Sequence, residues 1–104
     1  MEMIVLWSDS AIEELQEIFE YYNISASYKV ASKITNSIID KTLLLEKNPR
    51  IGQVEELLNY KQREIRYLVY GNYKIVYGVE ENFVIIATIF DCRQNPIKLE
   101  NKGI

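Results

Sequence analysis

Histidine is absent from this chain of 104 residues, and cysteine occurs once, at Cys92. Without histidine, neither a Ser-His-Asp nor a Cys-His nucleophile can be assembled within the chain. One cysteine and no histidine leave only carboxylates as ligands, so no zinc site is expected, and nothing in the chain calls for a cofactor. A single cysteine also forbids an intrachain disulfide. Any acid–base chemistry must fall to Lys, Arg, Tyr, Asp or Glu. No apolar run approaches the roughly 20 residues of a membrane helix. The opening MEMIVLWSDS places an acid where a signal peptide has a positive segment. A soluble, cytoplasmic protein with no membrane association is expected. Internal repeats, low-complexity tracts and linkers are missing too, which points to one domain over residues 1–104.

What is present is ordinary for a globular domain, with 48% hydrophobic and 26% charged residues. At this length roughly two-thirds of the unfolded surface can be buried, so a core needs no staples. The most organised stretch runs from Gln62 to Pro96. Runs rich in Val, Ile, Tyr and Phe are separated there by Gly71-Asn72 and by Glu80-Glu81-Asn82. Such runs bounded by turn residues predict strands joined by tight hairpins. We expect an antiparallel meander over residues 63–90, with strands near Arg63–Val69, Tyr73–Val79 and Phe83–Phe90, then a tail over 91–104. A meander this small cannot bury an apolar face alone.

Its cover lies upstream. Ile4-Val5-Leu6-Trp7 has the length of a strand, expected over 3–7. Ser8-Asp9-Ser10 offers an N-cap, and Ser10 with Glu13 matches a capping box. Ala11, Leu15, Ile18, Phe19 and Tyr22 then share one face of a helix expected over about 9–23. Its outer face carries Glu13, Glu14, Glu17 and Glu20. A second helix over about 26–47 has Val30, Ala31, Ile34, Ile38 and Leu45 on one side and stops at Asn48-Pro49. Arg50 to Lys61 is a connector with a possible helical turn at Glu55–Asn59. The fold class is therefore α+β: a small antiparallel sheet in the order β-α-α-β-β-β, with the α-hairpin on one face and the other face half open. Alternation puts Tyr73, Ile75, Tyr77 and Val79 toward the helices and Lys74, Val76 and Gly78 away from them. The face taken by Arg66, Leu68 and Tyr70 depends on a hairpin register that alternation alone leaves undetermined.

Net charge is −3, against a dominant nucleic-acid footprint. Its distribution is uneven: residues 1–60 hold ten acids and five bases, residues 61–104 five acids and seven bases.

The run RYLVYGNYKIVY from Arg66 to Tyr77, followed by a strand and DCRQNP from Asp91 to Pro96, resembles the RelE/ParE family of bacterial toxins. Trp7 to Leu15 is similar to that family's first strand and helix start, and Asn48 to Gly52 to its loop after the second helix. The resemblance implies the toxin of a type II toxin–antitoxin pair, bound and neutralised by a cognate antitoxin and forming an oligomer with it. It also implies two possible activities. The RelE branch cuts mRNA on the ribosome without a metal, through basic residues and a C-terminal tyrosine. The ParE branch inhibits DNA gyrase by binding, with no catalytic residues of its own.

Lys74 stands where the RelE branch has an arginine, and Arg93 where it has its catalytic arginine. The tyrosine expected six residues further on is Leu99. The lysine pair before the hairpin is replaced by Arg63, Glu64 and Arg66. The Asp91-x-Arg93-Gln-Asn-Pro96 ending is closer to the ParE branch, so growth inhibition through gyrase, in the manner of a plasmid-stabilising pair, is the expected function. Arg63, Arg66, Tyr70, Lys74 and Arg93 are the expected target- or partner-binding residues. Arg66, Lys74 and Arg93 would be the catalytic set of the alternative nuclease. A further alternative is an inactive relative that serves only as a repressor partner. The plainer roles are a cross-sheet glutamate partner for Arg66, a solvated Lys74, an Asp91 tether for Arg93, core positions for Tyr73 and Tyr77, and an inert Cys92. The acidic face of the first helix is most simply solvated, the other readings being a surface that mimics nucleic acid or one that meets a basic antitoxin segment.

Overall fold

The computed structural model describes residues 2–56, 64–93 and Leu99. Ile4–Trp7 form strand β1, Asp9–Ser25 helix α1, and Tyr28–Leu43 helix α2, which tightens into a 3-10 turn over Leu44–Glu46. Strands β2 (Gln53–Val54), β3 (Ile65–Tyr70), β4 (Tyr73–Val79) and β5 (Phe83–Asp91) follow. The sheet order is β1-β5-β4-β3-β2.

The meander β3-β4-β5 is antiparallel, with Tyr70 opposite Tyr73 across a two-residue turn at Gly71-Asn72. Gly71 has φ +58°, the left-handed conformation that a side chain disfavours. β1 joins β5 in parallel, Ile4 opposite Phe83 and Trp7 opposite Ile86. The sheet is thus mixed rather than wholly antiparallel. The helical hairpin after β1 supplies the long crossover that a parallel neighbour needs. β2, which lies within the expected connector, adds a short edge through pairs Gln53–Tyr67 and Val54–Arg66. Two residues carry no readable period. Most of the helical turn expected at Glu55–Asn59 lies outside the described residues.

Ser8, not Ser10, caps α1, accepting the Ala11 N–H at 3.1 Å. Its hydroxyl also donates to the Ala87 carbonyl at 2.8 Å. That second bond satisfies β5 where its register against β4 shifts, for Val76 faces Thr88 while Tyr77 faces Ile86. The bulge leaves Ala87 without an opposite residue, and a bulge needs such outside partners. Ser10 has no comparable reach from inside the first helical turn. Ser27 caps α2 through the Val30 N–H. α1 thus begins at Asp9, as expected, and runs two residues further, whereas α2 begins two residues later and ends four residues earlier than expected.

Ala11, Ile18, Ile38 and Leu45 pack on Tyr73, Ile75 and Tyr77, so the uniformly apolar side of β4 faces the helices as its alternation implies. Val30, placed on the apolar face of the second helix, is instead exposed. The opposite side of the sheet is less open than expected. Ile65, Val76, Phe90 and Leu99 form a second buried cluster there, with Tyr67 against it. Burying one Leu or Ile side chain contributes about 1.5–3 kcal/mol, so Leu99 has good reason to sit on this face. On the β1 side the same face stays bare, with Ile4, Leu6 and Phe83 exposed. No helix among the described residues is long and apolar enough to cross a membrane.

Candidate partner-binding site

The register of β3 against β4 decides where the basic residues go. Arg66 is opposite Tyr77 and Tyr70 opposite Tyr73, so both lie on the helix-facing side. Lys74 is opposite Val69 and Phe90, on the other side with the second cluster. Arg93 follows Asp91, which is opposite Tyr73, four residues along β4 from Tyr77. At roughly 3.3 Å per residue those ends are about 13 Å apart. The three basic groups therefore do not converge. Arg63 lies outside the described residues.

Each of the three is already engaged. Arg66 Nε donates to Glu64 at 2.9 Å, and its Nη1 donates to the Gly52 carbonyl at 2.9 Å. Arg50 meets the same carboxylate at 2.7 Å. Burial would raise the Glu64 pKa, but the bonds and charges of Arg50 and Arg66 outweigh it and hold the carboxyl below its usual value. This network clasps the loop carrying Gly52 to β3. The Tyr77 hydroxyl accepts the Gly52 N–H at 2.9 Å. A Cβ at Gly52 would lie 2.5 Å from that hydroxyl and 2.6 Å from the Tyr67 carbonyl, so no side chain fits.

Lys74 is half-buried and paired rather than freely solvated. Its Nζ lies 3.0 Å from the Glu55 carboxylate and 4.2 Å from the centre of the Tyr67 ring. Glu55 is buried, and a buried carboxylate needs such a cation. Tyr70 packs on the edge of the main core. Leu99, in the position expected of a stacking tyrosine, is buried.

Arg93 is tethered to Asp91 by two side-chain bonds of 2.9 and 2.7 Å, and its backbone N–H donates to the same carboxylate at 2.9 Å. Those bonds hold the Asp91 carboxyl below its ordinary range and push the guanidinium up. The pair stands at the rim of a groove of about 430 Å³ between α1 and the end of β5. Glu14, Glu17, Ile18 and Tyr21 line it from α1, and Tyr73 and Ile89 from the sheet. Glu14 accepts from the Thr88 hydroxyl at 2.7 Å and from the Ile89 N–H at 3.0 Å, fixing α1 against β5. The Tyr73 hydroxyl meets that of Tyr22 at 3.5 Å, and burial raises its pKa. Sequence reasoning singled out Arg93 as a binding residue and put Glu14 and Glu17 on an acidic helix face, but did not join Arg93 in one groove with Glu14, Glu17 and Tyr21. Their i, i+3, i+7 spacing was a readable signal that they share one helix face.

No curated protein matches the chain. Nine solved chains do. One is described as a chromosomal ParDE TA system from P. aeruginosa. It is 18% identical over 86% of this chain and 96% of its own, with a TM-score of 0.72, which shows a shared fold. Residues 5–96 match the family described as the ParE toxin of type II toxin–antitoxin systems, parDE. That span takes in β1 from Val5, the helical hairpin, β2 to β5 and the Asp91–Pro96 ending, and the chain accordingly belongs to the ParE toxin family.

Proposed function

We propose that this chain is the toxin of a type II pair, held inactive in the cytoplasm by a cognate antitoxin, and that when free it inhibits DNA gyrase by binding. One observation carries the choice of binding over cleavage: Arg66, Lys74 and Arg93 lie apart and each is ion-paired within the chain. Metal-free phosphodiester cleavage needs a base and a cation gathered at one phosphate. The buried Leu99 supplies no stacking ring. Family membership supports an antitoxin partner, whose helix and strand would lie along the hairpin and a sheet edge to form a toxin–antitoxin oligomer.

Expression of the chain alone in bacteria tests this, with DNA breaks and RNA ends followed in one culture. Gyrase-linked breaks with intact messages are expected, together with inhibition of supercoiling by the purified chain. Messages cut within codons while chromosomes stay whole would overturn the reading.

A further inference from the structure

The groove between α1 and β5 combines three chemistries that one kind of side chain satisfies together. Its floor is apolar, from the buried Ile18 and Ile89. One wall carries the ring of Tyr21, which is 58% exposed. The carboxylates of Glu14, Glu17 and Asp91 stand around it against the single guanidinium of Arg93. A lysine or arginine has an aliphatic stem that lies on apolar surface and a cationic head that seeks carboxylates or an aromatic face. The volume suits one or two long side chains, not a whole helix. Among the described residues the Glu17 side chain makes no hydrogen bond or ion pair, whereas Asp91 is engaged with Arg93 and Glu14 with β5.

We propose that this groove receives a lysine or arginine presented by the antitoxin's toxin-binding segment, with Glu17 as the carboxylate that meets it. This rests on the antitoxin reading above. The antitoxin is favoured over gyrase as the occupant because the surface continues onto the tip of the helical hairpin, where Ile24 and Tyr28 are 86% and 69% exposed. Tyr21 links the two, lining the groove from the same helical hairpin. An amphipathic segment laid over the tip could bury those apolar groups while its basic residue enters the groove. Long-range attraction to the acidic half of the chain would speed the encounter, but the groove assigns a position to the charge.

The test measures binding of the full chain to the antitoxin encoded beside it, by titration calorimetry at several salt concentrations. Glu17→Lys should weaken binding about tenfold or more and flatten its salt dependence, and Glu17→Gln should do so less. Glu13→Lys makes the same charge change on α1 outside the groove and should alter affinity by less than about twofold. Tyr21→Ala should weaken binding while Tyr21→Phe keeps it. Melting temperatures confirm that each variant folds. Equal weakening by Glu13→Lys and Glu17→Lys would overturn the groove in favour of charge acting at a distance. No effect at Glu17 or Tyr21, with the unaltered chain bound tightly, would overturn the groove and leave the antitoxin reading standing. Loss of gyrase inhibition in Glu17→Lys with unchanged antitoxin affinity would move the groove to the target instead. An unaltered chain that fails to bind the antitoxin would remove both.

Discussion

Strand β4 carries a tyrosine on the same face near each end, and the two ends have opposite characters. Tyr77 is fully buried, and its hydroxyl is bonded to a backbone N–H in a loop that Arg66 and Glu64 clasp shut. Tyr73 is also nearly buried, but its hydroxyl reaches only another phenol at 3.5 Å, beside a groove rimmed with carboxylates. Each end also depends on a glycine, for different reasons: Gly52 because neighbouring atoms leave no room, Gly71 because of its positive φ. One end of the strand is thus spent on holding the fold, and the other borders the groove that we propose for recognition.

The largest effect should come from filling the closed end. Gly52→Ala forces a methyl against the Tyr67 backbone and the Tyr77 hydroxyl and should cost about 3 kcal/mol, read as a lowered midpoint in urea. Tyr77→Phe leaves the buried Gly52 N–H without an acceptor, and a loss of about 2 kcal/mol is expected in the same assay. Gly71→Ala at the open end meets nothing within 4 Å, so only the dihedral penalty of about 1 kcal/mol remains. A cost equal to that of Gly52→Ala would erase the distinction between room and dihedral.

Smaller effects probe the open end directly. The folded pKa of Asp91 lies below its usual 3.8, chiefly through its bonds from Arg93. Stabilisation from this pair is therefore present above that usual value and is lost as pH falls through the folded one. Asp91→Asn should flatten the stability profile below about pH 4, seen by thermal melts across pH. Tyr73→Phe should change stability by less than about 0.5 kcal/mol, since a 3.5 Å hydroxyl contact is weak. A loss as large as that of Tyr77→Phe would mean the two ends are alike after all.

Much of this contrast was hidden in the sequence for identifiable reasons. The meander and the helical hairpin were legible because runs such as Tyr73–Val79 and Ala11–Tyr22 each hold a clear period. Alternation sorted Tyr73, Ile75 and Tyr77 from Lys74 and Val76 correctly. It could not place Arg66, because that needed the Tyr70–Tyr73 pairing across the turn. The partner of Lys74, Glu55, lies 19 positions upstream in a connector without periodicity. The choice of cap within Ser8-Asp9-Ser10 stayed open because the deciding contact, from Ser8 to Ala87, is 79 positions away. The acids of α1 read as a face either solvated or turned to a basic partner segment, since nothing local reveals that β5 ends beside Glu14 and Glu17.

Parallel pairing of β1 with β5 has a consequence for the order in which the protein is made. Ile4 finds its neighbour only at Phe83, and Trp7 only at Ile86. During synthesis the helical hairpin and the β3-β4 hairpin can form from residues already present, because their contacts are local. β1 must wait for nearly the whole chain to leave the ribosome, and closing so long a loop carries an entropic cost. A message truncated before codon 83 would therefore yield a chain whose first strand has no neighbour and whose groove lacks its β5 wall. Translation of β5 thus completes both the pairing of β1 and the groove.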